Sequence, residues 1–335
     1  STPENIEISK FGAHFFKTVG EYLRVDHSVP DLSFREAGYL FLASGKGKPI
    51  LEQNYQLQRT HGVAVIWLTP DALERRFPWL NVSDLAAGTL GQDGEGWIDP
   101  YSLLMGFKRK AESLGVEYLK DEVVGLSLAA GKVAKVRLGR DGSVACGVLV
   151  NAAGPRAGGI AAMAGIRDLP VHPRKRFVYT FDCRAELPDC PLVVDPGGVY
   201  FRPEGRKFLC GMSPVEAEDP DCLDFKLETK MFDEIIWPAL AQRVPDFAAL
   251  ERGYSWAGHY AVNVLDRNAI LGPHPAVSNF YFANGFSGHG LQQSPAVGRA
   301  ISELIAFGSY QTLDLSKFCY ERLARGKLVR ERNVV

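Results

Sequence analysis

The residues best suited to chemistry form a glycine-rich run directly after a predicted strand at 280–283. Three glycines in six residues let a backbone approach a ligand more closely than side chains would allow. A helix is predicted from about Pro295 to Phe307, and a helix N-terminus carries unpaired N–H groups and about half a positive charge. The pattern therefore predicts a site for an anion or an electron-rich ring oxygen, with a purely structural turn as the alternative. The run consists of Gly285, Phe286, Ser287, Gly288, His289, Gly290, Leu291 and Gln292.

A second junction between a strand and a turn lies earlier in the chain. The apolar residues 148–150 have the continuity of a buried strand, and Asn151-Ala152-Ala153-Gly154 supplies small residues before a helix. A buried strand that leads into a small-residue turn and a helix is typical of doubly wound α/β folds.

The composition excludes several classes of protein. Lys and Arg number 38 against 39 Asp and Glu among 335 residues, which argues against a nucleic-acid-binding protein. No run approaches the ~18 apolar residues of a transmembrane segment. Six cysteines without a C-x-x-C pair are typical of reduced thiols, and the histidines lack metal-ligand spacing, so no metal site is predicted.

Apolar periodicity and cap residues predict further elements around the two junctions. Helices are predicted at 3–23, 49–61, 100–114 and 225–243, the last disturbed at Pro238. Strands are predicted at 39–43, 63–68, 116–119, 122–128, 133–138, 177–181, 198–202 and 207–211. Segments of a nucleotide-binding fold therefore alternate with segments of a mixed sheet, which predicts two domains woven from one chain.

The glycine run and the Asn151–Gly154 turn together resemble the D-amino-acid-oxidase superfamily of flavoenzymes, of the sarcosine oxidase and glycine oxidase type. Residues 122–124 resemble the segment whose backbone reads the adenine, and residues 265–272 resemble the strand before the last flavin loop. The resemblance implies an α/β fold in which a Rossmann-like FAD-binding domain is interleaved with a substrate domain built on a large mixed, mainly antiparallel sheet. The expected boundaries are 1–26, 86–165 and 263–335 for the FAD-binding domain, and 27–85 and 166–262 for the substrate domain.

The resemblance also implies roles for individual residues. FAD is the expected cofactor, and the glycine run is expected to lie beside the flavin ring, with the helix N-terminus near the edge that becomes negative on reduction. His289 is expected to stack on or hydrogen-bond to the flavin, with a backbone role in the turn as the alternative. The expected FAD-binding residues are Val123, Ala153, Gly154, Gly285, Phe286, Ser287, Gly288, His289, Gly290, Leu291 and Gln292. The candidate catalytic residues are His259, His289 and Gln292.

One missing unit and three individual positions depart from the family pattern. The opening strand–G-x-G-x-x-G–helix unit, which holds the FAD diphosphate in the family, is not found in this sequence, so the chain is expected to lack that βαβ unit and to bind FAD weakly. Gln292 stands where the family has a lysine for the substrate carboxylate, and an amide brings no charge. Phe208 falls at the family's oxygen-activating lysine, which disfavours fast reaction with O2. His259 aligns with a cysteine that binds flavin covalently in some relatives, so it could form such a bond or support the site indirectly.

The resemblance is closer still to mitochondrial flavoproteins that assist the assembly of respiratory complex I, through residues 95–100, 173–176 and 285–293. It implies a mitochondrial location, with complex I subunits or assembly intermediates as partners. The predicted function is hydride transfer from an amine- or hydroxyl-bearing carbon of an unidentified small-molecule substrate to flavin N5, with an acceptor other than O2 such as an electron carrier. The alternatives are a non-catalytic flavin-binding assembly protein and a secondary-amine dehydrogenase.

Overall fold

The computed structural model describes residues 2–140 and 142–330. Within these residues the helices are α1 Pro3–Lys17, α2 Val19–Leu23, α3 Lys48–Thr60, α4 Pro70–Arg76, α5 Pro100–Ser113, α6 Ala157–Met163, α7 Trp237–Arg243, α8 Gly290–Phe307 and α9 Glu321–Ala324. The strands are β1 Tyr39–Ala43, β2 Val65–Leu68, β3 Ala87–Gly91, β4 Val123–Ala129, β5 Lys132–Leu138, β6 Gly142–Ala145, β7 Leu149–Asn151, β8 Val171–Asp182, β9 Leu192–Val194, β10 Tyr200–Glu204, β11 Lys207–Gly211, β12 Glu251–Asn263, β13 Ile270–Pro273 and β14 Phe280–Asn284.

Cap residues fix the starts of the helices that flank the site. The Thr2 hydroxyl accepts the Asn5 N–H at 3.3 Å, and the Asp99 carboxylate accepts the Tyr101 N–H at 2.9 Å. Proline occupies the first position of both α1 and α5, where its missing N–H costs nothing. These helices therefore begin where the sequence predicts.

The largest sheet has eight strands in the order β12-β8-β11-β10-β9-β1-β3-β2. Each neighbouring pair is antiparallel except β1 and β9, which confirms a large mixed, mainly antiparallel sheet. Strand β3 pairs with β1 and β2 in this sheet, although the boundary expected at residue 86 assigns it to the FAD-binding domain. That boundary falls too early in the chain, because hydrogen bonding joins β3 to residues 39–68.

The two faces of this sheet differ in chemistry because successive side chains of a strand point to opposite sides. One face carries a buried aromatic core, in which Phe247 lies 4.9–5.3 Å from three other rings. The opposite face carries Tyr39 on β1, Tyr200 and Arg202 on β10, and Tyr260 on β12. We call it the polar face.

A smaller sheet of order β13-β14-β7 carries the glycine run at its edge. Strands β14 and β7 are parallel, so their carboxyl ends lie side by side. Helices α1 and α8 cross on one side of this sheet so closely that a Cβ on Gly12 would collide with the Gln292 carbonyl oxygen. A third sheet, β4-β5-β6, is an antiparallel meander.

Several elements differ from the sequence predictions. Residues 116–119 form no strand, and the predicted helix 225–243 starts only at residue 230, with a π-helical turn at Phe232–Ile236 just before Pro238. Strands β3, β6, β9 and β12 were not predicted. Over the described parts of the chain, no helix is long and apolar enough to span a membrane, and no cluster of His, Cys, Asp or Glu has metal-binding geometry.

Candidate functional site

The turns after β7 and β14 meet at one edge of the small sheet. Phe282 of β14 is paired with Asn151 of β7, so the turns that contain Gly154 and Gly285 leave the sheet side by side. The Asn151 side chain ties its own turn, accepting the Ala153 N–H at 3.2 Å and donating to the Ala157 carbonyl at 3.0 Å. The structure thus brings together two of the segments that the sequence assigns to the cofactor. Ligands of open α/β sheets bind at such a carboxyl edge.

The glycine loop, residues 285–290, has a backbone that ordinary side chains would strain. Gly285, Ser287 and Gly288 have φ angles of 73°, 52° and 104°, all in the left-handed range. Three hydrogen bonds of Ser287 offset this strain. Its N–H donates to Ala261 O, its hydroxyl donates to Gly285 O, and the hydroxyl oxygen accepts the Asn263 N–H at 3.0 Å. The loop is therefore fixed to the end of β12.

The two later glycines of the loop have different surroundings. A Cβ on Gly288 would lie 2.5 Å from the Tyr260 ring, whereas a Cβ on Gly290 would meet Phe286 at an ordinary 3.4 Å. Tyr260 is itself held by the Arg176 guanidinium, which lies 5.2 Å from the centre of its ring. Of these two positions, only 288 requires a glycine because of its contacts within the chain.

Helix α8 starts at Gly290, five residues before the predicted start at Pro295. Proline suits a first turn, but here it lies inside the helix, where it leaves the Leu291 carbonyl without its usual N–H donor. The Ser294 hydroxyl donates to that carbonyl at 2.9 Å and compensates for the loss. As a result the glycine loop feeds directly into the N-terminus of an 18-residue helix, with His289 as the N-cap residue.

Two buried side chains around this edge have polar atoms without partners in the described chain. Asn284, the last residue of β14, is fully buried with no hydrogen bond to either side-chain atom, and the Nε of Arg176 on the polar face has none. Unpartnered buried polar groups are costly and call for a further partner. Together with the close-approach glycines and the α8 N-terminus, they fit a polar, electron-rich ring such as flavin. Gly285, Gly288 and the first N–H groups of α8 are the groups placed to hold it.

A buried ion pair between Arg322 and Asp266 supports the glycine loop. Arg322 binds Asp266 through two hydrogen bonds of 2.9 and 3.0 Å, with side chains 3% and 0% exposed. Asp266 in turn accepts from the Asn263 amide at 2.7 Å, and the Asn263 backbone donates to Ser287. The loop is thus connected to α9 through a continuous chain of contacts.

The polar face next to the loop contains a group of tyrosines together with Arg202. The Tyr200 hydroxyl lies over Gly211, where a Cβ would come within 2.6 Å of it. Arg202 lies 4.9 Å from the centre of the Trp97 ring and forms an ion pair with Glu204. Burial raises the pKa of Tyr200 and of Tyr39, while the positive charge of Arg202 opposes both shifts. Both phenols are therefore neutral hydrogen-bonding groups at physiological pH.

One carboxyl group reaches the same face from the loop between β3 and α5. The Glu95 carboxylate lies against Gly91, where a Cβ would collide with it, and accepts the Tyr39 N–H at 3.2 Å. The side chain keeps some accessible surface, but the protein atoms around its carboxyl group raise its pKa to about 7 by desolvation. This is a strong shift of the kind that marks functional sites.

Two residues expected at the site lie away from it. His259 follows Gly258 on β12 and points to the face opposite Tyr260; its Nε2 contacts the Asp224 carbonyl at 2.9 Å, and the Phe225 ring packs on it. Phe208 stacks on Phe181 in the aromatic core at 5.2 Å. The structure therefore corrects both assignments, since strand alternation turns each side chain away from the loop.

The other expected residues have less specific surroundings. His289 is exposed at the start of α8, Gln292 lies where α8 crosses α1, and Val123 begins β4. The basic run 174–176 is covered by acidic residues of segment 219–224, including an Arg176–Asp219 pair with two hydrogen bonds of 2.7 Å. Its acidic partner therefore belongs to the same chain.

Sequence reasoning missed Tyr39, Glu95, Tyr200, Arg202 and Tyr260. Glu95 lies in the segment 95–100 that carries part of the family resemblance, but the resemblance gives it no role. Tyr39, Tyr200, Arg202 and Tyr260 converge only through the order and register of β1, β10 and β12. An alternation of tyrosine and arginine at 200 and 202 was the one local signal, because it places two polar side chains on the same face of a strand.

Comparison with known proteins agrees with this geometry. The family model described as "DAO: FAD dependent oxidoreductase" matches residues 1–304. The chain is 41% identical to FAD-dependent oxidoreductase domain-containing protein 1 of Bos taurus, over 99% of this chain and 75% of that protein. It is 29% identical to the mitochondrial dimethylglycine dehydrogenase of Mus musculus, over 88% of this chain and 36% of that protein. The crystal structure of L-proline dehydrogenase from P. horikoshii superposes with a TM-score of 0.87 and 26% identity, over 98% of this chain and 85% of that one.

Proposed function

The chain belongs to the DAO family of FAD-dependent oxidoreductases, and we propose that it oxidises the carbon–hydrogen bond beside the nitrogen of a small amine. FAD supplies a ring that accepts a hydride at N5. The proposal rests on one observation above all: the glycine loop and the α8 N-terminus lie against the polar face through the Gly288–Tyr260 contact. A substrate bound on that face would lie next to the residues that hold the ring. An alcohol with the same carbon–hydrogen arrangement is the alternative substrate.

The chain's own residues have separable tasks in this reaction. The N–H groups at the start of α8 stabilise negative charge that develops on a neighbouring ring. Neutral Tyr39 and Tyr200 offer hydrogen bonds, and Arg202 offers a positive charge beside them. The tyrosine and tryptophan rings around them limit the access of water. The face is thus suited to orient a small polar molecule.

We propose further that the electron acceptor is not O2. Of the β11 residues on the polar face, Lys207 is paired with Asp182, and Leu209, which is paired with Arg202 on β10, carries no charge of its own. A lysine at such a position would stabilise developing superoxide. An electron carrier or a quinone is the acceptor class that this residue favours.

Anaerobic reduction of the flavin-loaded protein tests the proposal. Sarcosine, dimethylglycine and L-proline are mixed with the oxidised protein, and at least one is expected to bleach the visible flavin absorbance. Replacing Arg202 by methionine should slow the bleaching by about tenfold or more, because a charged hydrogen-bond donor is lost. The matched variant Arg252→Met removes an arginine that pairs with Asp233 on the other side of the sheet and should leave the rate unchanged. Reoxidation should be slow in air and faster with a quinone.

A second candidate is a mitochondrial assembly protein for respiratory complex I that keeps flavin without turnover. It is supported by the resemblance of residues 95–100 and 285–293 to such flavoproteins and by uncharged Gln292 in place of a substrate-binding lysine. This second candidate function implies a mitochondrial location, with complex I subunits or assembly intermediates as partners. A bound flavin that no amine or alcohol reduces, together with co-purification of such subunits, would favour it.

A further inference from the structure

The Glu95 carboxylate is a largely desolvated negative charge for which the described chain supplies no counter-ion. Its hydrogen-bond partner is the neutral Tyr39 N–H, and burial alone accounts for its raised pKa. At pH values above 7 the group is nevertheless ionised for most of the time. A buried carboxylate without a cation is unfavourable, and a cationic ligand would relieve that cost.

The groups around Glu95 indicate what kind of cation fits. The Tyr39 ring is close enough for Glu95 to raise its pKa, and Trp97 lies two residues further along the same loop. Aromatic rings beside a carboxylate form the surroundings that alkylated ammonium groups prefer. The carboxylate also lies on the side of the sheet that faces the glycine loop, since it rests on Gly91. That residue follows Leu90, the core-facing partner of Leu40, and therefore faces the same side as Tyr39.

The other charged groups considered near this loop, Lys17 and Arg202, each have a carboxylate partner within the chain. Lys17 of α1 lies on the outside of the loop, where it pairs with Glu36 and Asp93. Arg202 of β10 is paired with Glu204 and packed on Trp97. Burial keeps Tyr39 neutral at physiological pH, so ionised Glu95 is the charge at this end of the polar face that has no counter-ion in the described chain.

We propose that Glu95 binds the cationic nitrogen of the substrate, in a subsite walled by Tyr39 and Trp97, and thereby selects alkylated ammonium compounds. This inference rests on the proposed amine oxidation and names its substrate class. It assigns recognition of the nitrogen to a carboxylate of the β3–α5 loop, a residue separate from those that hold the cofactor.

Binding of tetramethylammonium to the oxidised, flavin-loaded protein tests the subsite without any turnover. Titration at pH 5.5 and 8.5, followed by calorimetry and by the flavin difference spectrum, should show affinity rising by up to about 30-fold as Glu95 ionises. Acetate, which has a carboxylate and no cation, should not show this rise.

Two substitutions separate Glu95 from its neighbours. Glu95→Gln should lower tetramethylammonium affinity at pH 8.5 by about tenfold or more and abolish its pH dependence, while Glu95→Asp should keep part of both. The matched variant Glu36→Gln removes a carboxylate of the same region that is paired with Lys17 and should bind as the unmodified protein does. Flavin content and circular dichroism verify that each variant is folded, and Glu95→Asp keeps the test valid if Glu95→Gln is not.

The outcomes distinguish this inference from the proposed function. Binding that is independent of pH, or equal in the Glu95→Gln variant, would overturn the subsite even if sarcosine or L-proline reduces the flavin. Glu95-dependent binding in a protein that no amine reduces would retain the cation subsite and reject amine oxidation.

Discussion

The glycine loop and the outer edge of β7 belong to the same small sheet but are packed very differently. The loop is bonded to β12, rests on Tyr260 and is supported by the buried Arg322–Asp266 pair. In the described chain, β7 has β14 as its one hydrogen-bonded neighbour, and Val148 and Val150 remain 40% and 39% exposed. Exposed apolar residues also occur on α5 and in the segment after it, at Leu104, Leu114, Val116, Tyr118 and Leu119.

This difference in packing indicates that the glycine loop and its supports build the side of the cofactor site next to the flavin ring, which we call the ring side. The ring side is held in place by contacts between distant parts of the chain, and such contacts fix a backbone before a ligand arrives. The edge of β7 instead presents free N–H and C=O groups beside apolar side chains, which are the features that pair with a further strand. Substitutions on the two sides should therefore have effects of different size.

The largest effect is expected from the ion pair beneath the glycine loop. Arg322→Met leaves the Asp266 carboxylate buried without its partner, and breaking a buried pair costs about 3–5 kcal/mol of unfolding free energy. Lys317→Met, which breaks the pair of Glu4 with a lysine that is 65% exposed, should cost less, about 1 kcal/mol. Urea denaturation of both variants measures the contrast. Equal costs would show that the loop does not depend on the buried pair.

Gly288 and Gly290 provide the next contrast, within the loop itself. Gly288→Val places a branched side chain at a φ of 104° and against the Tyr260 ring, so the loop must move and flavin content should collapse. Gly290→Ala has space beside Phe286 and suits the first turn of a helix, so flavin content should stay within about twofold of the unmodified protein. Flavin is quantified from absorbance after gel filtration. A fully loaded Gly288→Val protein would remove the loop from the cofactor site.

The sequence was sufficient for the parts of the molecule that local chemistry determines. Glycines after an apolar strand located the loop, and cap residues located the starts of α1 and α5. The polar face could not be predicted, because Tyr39, Tyr200 and Tyr260 meet only through pairing of distant strands. His259 and Phe208 were misplaced for a related reason: a strand turns each successive side chain to the other face, so a shift of one residue reverses the assignment.

Glu95 should make the unfolding free energy of the protein depend on pH. Its pKa rises from 4.5 to about 7 on folding, so its contribution to stability is complete below pH 4.5 and is lost as pH rises through 7. Relative to Glu95→Gln, the unmodified protein should lose up to about 3 kcal/mol of unfolding free energy between those pH values. Denaturation at pH 5 and pH 8 measures the difference. A constant difference between the two proteins would show that Glu95 keeps an ordinary pKa in the folded state.

The smallest effect on folding is expected at the edge of β7. Val150→Lys changes an exposed side chain, so unfolding free energy should change by less than about 0.5 kcal/mol. The added charge should nevertheless reduce self-association of the chain, since lysine on an exposed strand edge opposes pairing with another strand. Leu227→Lys, a change of similarly exposed apolar surface away from any strand, should not reduce it. Sedimentation velocity over a range of protein concentrations compares the two.

If a strand–G-x-G-x-x-G–helix segment is fused ahead of Ser1 and pairs with β7, flavin content should rise, and Val150→Lys should then become strongly destabilising because the lysine would be buried. A harmless Val150→Lys in that fusion would show that the added strand pairs elsewhere.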